Sequence, residues 1–392
     1  MKILFVTPFV GYSSAPYAGE LVIYNLMKGL SSRGHELYLI TGMRRGDRDH
    51  LDEIKPYCTV LEVIDTPWTR QEIVRDVVRW VLRGFRGGLT VRARAAAAVA
   101  KYSKEIAFDV IQVEYTEMGE FIVKPGSVPI IIAAVDVLLK PALREYERAQ
   151  GMRKIVKYLA YRRTVAREIA LYRKFDLVFT FSDFDRQLLA SYAPDLKIAT
   201  RLPQRFTGAV DGSRQSDAIL FVGAMDRPVN IQAALFFARE VFPLVRKVVP
   251  GASFYIVGSN PTPEVKALSD GSSNIIVTGF VDDLKPFYAK ARVSVAPLFI
   301  GGGIITKILD SMAIGVPVIT TAIGNEGVNA EPGTDLIIAS TADEFAAVTV
   351  QLMQDNMLWQ KLVKNGKTFI AKHFAEDEIL SKIEQEYRAL QK

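Results

Sequence analysis

The sequence predicts an α/β protein built as two doubly wound, Rossmann-like domains facing a cleft. Three observations carry this. Short β-branched or apolar runs alternate with longer segments of helical period, a polar stretch interrupts the alternation near the middle, and the alternation then restarts. At 392 residues, and about 100 to 200 residues per domain, two domains are expected, each large enough to bury a core. Hydrophobic residues at 49% and charged residues at 23% are the balance of an ordinary soluble globular chain, which excludes disorder and fibre.

Taken in order, the run Lys2 to Thr7 is closed by Pro8. It is too short for a signal peptide or a membrane span and reads as a buried strand. Further strands are expected at Glu36 to Thr41, Val60 to Ile64, Val110 to Val113, Pro129 to Val135 and Leu177 to Phe181. The first helix points Leu26 and Leu30 inward and stops at Arg33-Gly34-His35. The longest apolar run, Val128 to Leu139, contains Pro129 and Asp136 and falls short of the ~20 residues that a bilayer requires. Gly208 to Asp217 reads as a linker, placing the joint near 205 to 217. The second half offers strands at Ala218 to Gly223, Ser253 to Val257, Asn274 to Thr278, Val293 to Ala296, Pro317 to Thr320 and Asp335 to Ala339. The last segment, Glu376 to Leu390, has helical spacing and is free to cap either domain. The expected boundaries are 1–207 and 208–375, with a C-terminal helix at 376–392 that can cross back to the first domain.

The single Cys58 cannot form an internal disulfide, and with only His35, His50 and His373 the chain lacks ligands for a histidine or cysteine metal cluster. A reducing compartment, the cytoplasm, is the simplest reading. His35, after a helix-ending glycine, reads as a capping or packing residue. The formal charge of +6 suggests an anionic ligand or surface without demanding one.

In open α/β sheets, ligands bind beyond the carboxyl ends of the strands, often at helix N-termini. Two glycine-rich turns fit. In the first, Val293 to Leu298 runs into Gly301-Gly302-Gly303, and a helix then starts near Ile304 and ends at Gly315. The N–H groups of Gly303, Ile304 and Ile305 are placed to cradle a diphosphate, Lys307 adds a cation, and Asp310, a turn beyond Thr306, can accept from a ribose diol. In the second, Pro16 to Leu21 places Gly19 and Glu20 above the first strand. On spacing alone, the first is equally a plain strand-to-helix turn with a glycine hinge and a surface lysine, and the alternative for the second is a loop without function.

Together these turns resemble the GT-B glycosyltransferases, specifically the large retaining family that uses nucleotide sugars, often called family 4. The resemblance spans nearly the whole chain. It is carried by Gly19 to His35, by Phe221 to Asn230 with Phe242-Pro-Leu and Phe254 to Gly258, by Val277 to Val281, and by Gly301 to Gly327. It implies a nucleotide diphosphate sugar, UDP- or GDP-linked, held mainly by the second domain, and an acceptor held mainly by the first. On that likeness Phe280 and Val281 lie by the base and Asp310 at the ribose. Gly302, Gly303, Ile304, Ile305 and Thr306 hold the diphosphate and sugar, and Glu326 lies near the same mouth. Gly223 belongs to the donor side, as does Gly19 from the first domain. Three departures stand out. Gly302 occupies the position of the first of two customary glutamates, Ala224 and Val229 fall where Arg and Lys are usual, with Arg227 as a substitute, and Val135-Asp136 replaces a histidine and aspartate.

Such a transfer needs N–H donors and cations at the leaving phosphate, which can itself take the acceptor proton. If a carboxylate assists, Asp136 and Glu114 are the catalytic candidates, since both follow strands of the first sheet; either could equally cap a helix or orient a loop. Asp47-Arg48-Asp49 matches a metal–nucleotide pattern of a different glycosyltransferase fold, but it sits in a polar loop, so no metal or other cofactor is expected. Two basic stretches, Thr69 to Arg94 and Lys140 to Asp176, the second with eleven basic residues and interleaved tyrosines, fit either an anionic membrane surface or a solvated face over a core stripe. No nucleic-acid module surrounds them. The expectation is a cytoplasmic enzyme, peripheral at the inner face of the membrane, that transfers a hexose to a glycan, lipid-linked or small-molecule acceptor in polysaccharide biosynthesis. A noncatalytic nucleotide- or glycan-binding protein and a nucleotide-sugar epimerase on the same scaffold are the alternatives.

Overall fold

Strands β1 (Lys2–Thr7), β2 (Glu36–Met43), β3 (Thr59–Asp65), β4 (Val110–Glu114), β5 (Ile130–Ala134), β6 (Leu177–Thr180) and β7 (Ile198–Thr200) pair in parallel in the order β3-β2-β1-β4-β5-β6-β7. The computed structural model describes residues 1–15, 17–43, 45–65, 91–203, 217–269, 271, 273–301 and 303–391. All of the expected linker but Asp217, residues 66–90 with most of the first basic stretch, and Gly302 lie outside them. The chain divides into two compact units. One comprises Met1–Ala15, Gly19–Gln204 and Glu376–Lys392, and the other Pro16–Ala18 and Arg205–Ala375.

In the first unit β4 and β5 are buried along their whole length, as is β1 after Lys2. That is why β5 and Ile3 to Val6 of β1 read as continuous apolar runs rather than alternating ones. The helices that cover the sheet include α1 (Ala18–Ser32), α2 (Val91–Glu105), α3 (Leu139–Arg148) and α4 (Gly151–Tyr172). The edge strand β7 has no counterpart in the sequence reading, because its three residues are only half-buried and too few to show a period. Strand order reverses at β1, which pairs with β2 on one side and β4 on the other, so the segments leaving β1 and β4 diverge and open a crevice at their carboxyl ends.

The second unit repeats the scheme. β8 (Ala218–Val222), β9 (Ser253–Val257), β10 (Ile275–Gly279), β11 (Ala291–Ala296), β12 (Val318–Thr320) and β13 (Ile337–Ile338) run parallel in the order β10-β9-β8-β11-β12-β13. The reversal falls between β8 and β11, and the helices that leave them are α5 (Pro228–Phe236) and α6 (Thr306–Ile314). Of the run expected at Asp335 to Ala339, Ile337–Ile338 form the strand, and Leu336 makes an isolated bridge to Pro332.

The last helix, α7 (Glu376–Leu390), packs on the first unit. It buries Ile379, Leu380, Ile383 and Tyr387, and the Tyr387 hydroxyl donates to Gln112 Oε1 of β4. Arg33 donates to the Asp377 carbonyl and carboxylate at 2.9 Å each, and His35 Nε2 lies 2.8 Å from Glu384 Oε1. The structure thus assigns His35 a packing role at the junction of α1 and α7.

Candidate functional site

The site is built where the second sheet reverses. Gly223 directly follows β8 and donates its N–H to the Val257 carbonyl at 3.0 Å, and the Met225 N–H donates to the Ser259 carbonyl at 2.7 Å. The chain then enters α5 with Pro228 in its first turn, where the missing proline N–H costs nothing. Asn230, buried in that turn, donates from Nδ2 to the Ala224 carbonyl at 2.8 Å. Its Oδ1 accepts from Lys307 Nζ at 2.7 Å. Lys307 comes from α6, so the two diverging segments of the reversal meet in this one bond.

Gly223 has a specific steric reason to be glycine. A Cβ there would lie 2.7 Å from Lys307 Nζ and 2.7 Å from Asn230 Nδ2. Lys307 Nζ also sits 4.3 Å from the centroid of the Phe221 ring. Held against an amide and a ring face with little water, the ammonium is pushed down from its ordinary range to about 7 by desolvation.

The turn Gly301 to Ile305 leads into α6 with positive φ at Gly301 (128°) and Gly303 (72°). It rests on Gly327, where a Cβ would come within 2.3 Å of the Gly303 carbonyl oxygen. The helix begins at Thr306, two residues later than expected, and its N-cap residue, Ile305, supplies no side-chain cap. An uncapped helix start presents N–H donors and the positive end of the helix dipole, a natural seat for an anion. Asp310 is buried one turn further along α6, and Ser311 Oγ ties α6 to β11 through Ser294 Oγ at 2.8 Å. The next turn is anchored to the end of β11 by Thr320 Oγ1, which donates to the Ala296 carbonyl at 2.7 Å, and by Thr321 Oγ1, which donates to the Leu298 carbonyl. Glu326, half-buried, directly precedes Gly327. On the other side of β8, Gly279 turns the chain with φ 75°, leaving Phe280 exposed and Val281 packed against the cluster of Leu220, Val257 and Tyr288. Arg227 is exposed at the start of α5.

The reversal in the first sheet gathers a second group. Gly19 lies in the first turn of α1, and a Cβ there would lie 1.8 Å from the Tyr115 hydroxyl. Tyr115 follows β4 with φ 72°, an uncommon conformation for a residue with a side chain. Burial, then the charges of Asp136, Glu114, Glu20 and Glu117, raise its pKa well above the ordinary value. Asp136 is exposed just beyond β5.

Glu114 requires a correction. Its two oxygens accept from Arg201 Nη1 at 2.7 Å and Nη2 at 2.6 Å, and Gln112 Nε2 donates to Oε1 at 2.5 Å. Both side chains are buried, so Glu114 is a structural counter-ion to Arg201 rather than a carboxylate free to meet a substrate. Asp47, Arg48 and Asp49 lie in the short 3-10 helix Arg45–His50, and Arg48 pairs with Asp65 at 3.0 Å. Asn230, Tyr115 and Gly327 were not singled out from sequence. Only Gly327, following Glu326 in a strand-to-helix turn, carried a local signal.

Residues 216–355 match the family described as Glycosyl transferases group 1. An uncharacterized 44.6 kDa protein in the cps region of Klebsiella pneumoniae is 26% identical over 175 residues, a match that covers 43% of this chain and 45% of the relative, less than half its length. Among solved structures, sucrose-phosphate synthase from Thermosynechococcus elongatus aligns with TM-score 0.70 at 15% identity, over 100% of this chain and 99% of that one. HepE of Anabaena in complex with UDP and glucose gives 0.70 at 14%, over 99% and 100%. WaaG, a glycosyltransferase involved in lipopolysaccharide biosynthesis, gives 0.68 at 14%, over 97% and 98%. In class, the chain is a two-unit protein of the GT-B fold. The stretch of its second unit that matches group 1 glycosyltransferases, residues 216–355, is the one that holds the Gly223, Asn230 and Lys307 arrangement.

Proposed function

We propose that the chain is a retaining glycosyltransferase that moves a hexose from a UDP- or GDP-linked sugar to a glycan, lipid-linked or small-molecule acceptor, in the cytoplasm and without a metal. The observation that carries this reading is the uncapped start of α6 with Lys307 beside it, in a domain matched to group 1 glycosyltransferases. The helix start and Lys307 neutralise charge as the sugar–phosphate bond breaks, and the leaving phosphate takes the acceptor's proton. Asp310 accepts from the ribose, Phe280 and Val281 flank the base, and Gly303 to Thr306 with Glu326 and Gly327 shape the sugar pocket. Gly223 gives Lys307 its place, and Arg227 supplies a second cation. Residues 1–207 bind the acceptor, with Asp136 the one remaining carboxylate candidate, and Gly19 admits Tyr115 beside it. Solved relatives in complex with UDP, UDP-glucose, or UDP and GlcNAc support a uridine nucleotide first. The location of the Klebsiella relative in a cps region supports polysaccharide synthesis.

The test is thermal stabilisation of the full chain by UDP, GDP, ADP and dTDP and their common sugar conjugates. A ligand at about 100 times its dissociation constant adds roughly 2.7 kcal/mol. A shift with one nucleotide, lost in Asp310→Ala and in Lys307→Ala, is expected. No shift with any of them would reject the reading, and binding without turnover of any donor would favour a noncatalytic protein on this scaffold.

A further inference from the structure

Helix α4 carries two apolar stripes, and only one faces the core. Tyr161, Val165, Ile169 and Tyr172 line the inner side, with Glu168 among them accepting from the Leu138 and Leu139 N–H groups and from the Tyr172 hydroxyl. At 100° per residue, Met152, Ile155, Val156 and Leu159 fall within an arc of about 100° on the opposite side. They are 83%, 62%, 66% and 63% exposed. Large aliphatic side chains in one continuous ridge, about 10 Å long at 1.5 Å per residue, are uncommon on a solvated face.

Cations surround the ridge. Arg153 and Arg162 lie on its two flanks, and Arg163 and Arg167 continue the same face toward the helix end, all four exposed. None of the four makes an ion pair among the described residues. Lys157 is paired with Glu145 at 2.6 Å, and Lys154 sits over the Tyr146 ring at 5.4 Å. Glu168 is the sole acidic residue of α4, and it is buried and committed to the Leu138 and Leu139 N–H groups and the Tyr172 hydroxyl. The exposed face of the helix therefore offers apolar area and positive charge together, with no negative charge.

We propose that this face of α4 is a docking surface for an anionic lipid bilayer, with Met152, Ile155, Val156 and Leu159 entering the acyl boundary and Arg153, Arg162, Arg163 and Arg167 holding lipid phosphates. The charge decides among occupants. A second copy of the chain would bring the same arginines against these, and a nucleic acid would leave the aliphatic ridge unused. An anionic bilayer satisfies both halves of the pattern, with the helix lying in the interfacial plane. Among the described residues no helix is long and apolar enough to cross a membrane, so the contact is one made along its surface. The surface belongs to the first unit alone and is independent of the donor reading, since lipid binding is measured without nucleotide.

The experiment is cosedimentation of the full chain with vesicles of phosphatidylcholine alone and with a third phosphatidylglycerol, at low and high salt. The wild type pellets with the anionic vesicles only, and salt weakens it. Arg153→Gln/Arg162→Gln/Arg163→Gln lowers partitioning on the order of 100-fold, and Ile155→Ser/Val156→Ser/Leu159→Ser by at least about tenfold. Both variants keep the wild-type melting temperature because the altered side chains are exposed; were either triple to melt early, the single substitutions Arg163→Gln and Ile155→Ser give the same order in smaller steps. No binding of wild type to anionic vesicles at low salt would overturn the proposal. So would variants that bind as wild type does, or a solution dimer abolished by the serine triple in a chain that ignores vesicles.

Discussion

If Lys307 meets the donor diphosphate as proposed, nucleotide-sugar binding should depend on pH. The Lys307 ammonium lies against Asn230 Oδ1 and the Phe221 ring, and desolvation brings its pKa to about 7. Near pH 6 about nine-tenths of the free protein carries the charge, and near pH 8 about one-tenth. A bound diphosphate beside Nζ stabilises the ammonium and restores its pKa toward the ordinary ~10.4, so binding above pH 7 takes up a proton. Affinity should then fall about tenfold from pH 6 to pH 8. UDP-glucose is the right probe, because its diphosphate diester has no group that titrates in that interval. Calorimetry at three pH values, in buffers of different ionisation enthalpy, gives the dissociation constant and the proton count together. The sign for the free protein is opposite. The folded value lies below the unfolded one, so the unfolded chain binds more protons between about 7 and 10.4 and stability rises with pH through that window. Lys307→Met should flatten both trends. An affinity constant within about twofold across the range, or the same slope in Lys307→Met, would refute the assignment.

Gly223→Ala puts a Cβ 2.7 Å from Lys307 Nζ and Asn230 Nδ2, so it should cost about 1–3 kcal/mol in denaturant unfolding and weaken donor binding as Lys307→Ala does, both read on one preparation. Glu114→Ala strands the buried Arg201 guanidinium, and urea unfolding should show a loss of about 3–5 kcal/mol. Asp136→Asn, at an exposed position, should melt within a degree or two of wild type and lose turnover, which an enzyme assay measures. At Glu384, burial works against the charge, but the His35 hydrogen bond and the Arg33 and Arg388 guanidiniums prevail and hold its pKa below the usual carboxylate range. Its contribution is therefore present above the unfolded value and lost as pH falls through the folded one. Hydrogen-exchange protection factors over residues 376–390, which already correct for the intrinsic pH dependence of amide exchange, should fall at acid pH, and Glu384→Gln should show the lower protection already at pH 6.

What could be read from the sequence was whatever a single element decides for itself. The strand runs of the first sheet, buried on both sides, announced themselves, whereas three-residue β7 did not. The glycine turn before α6 was legible because glycine and a helix start are neighbours in the chain. The partner that positions its lysine was not, because Asn230 lies 77 residues away and the meeting depends on β8 standing between β9 and β11. The same limit explains the error at Glu114. A carboxylate at a strand end has the same local pattern whether it meets a substrate or, as here, an arginine 87 residues on. Helix α4 shows the limit in another form. Its inner and outer stripes are both apolar and both helical in period, so periodicity ranks them equally, and only the tertiary packing that buries Tyr161, Ile169 and Tyr172 decides which of them is core. The stripe left outside, ringed by arginines, becomes informative only once the core has been assigned to the other. The lipid contact proposed for it thus rests on a fact of tertiary packing that no window of the sequence contains.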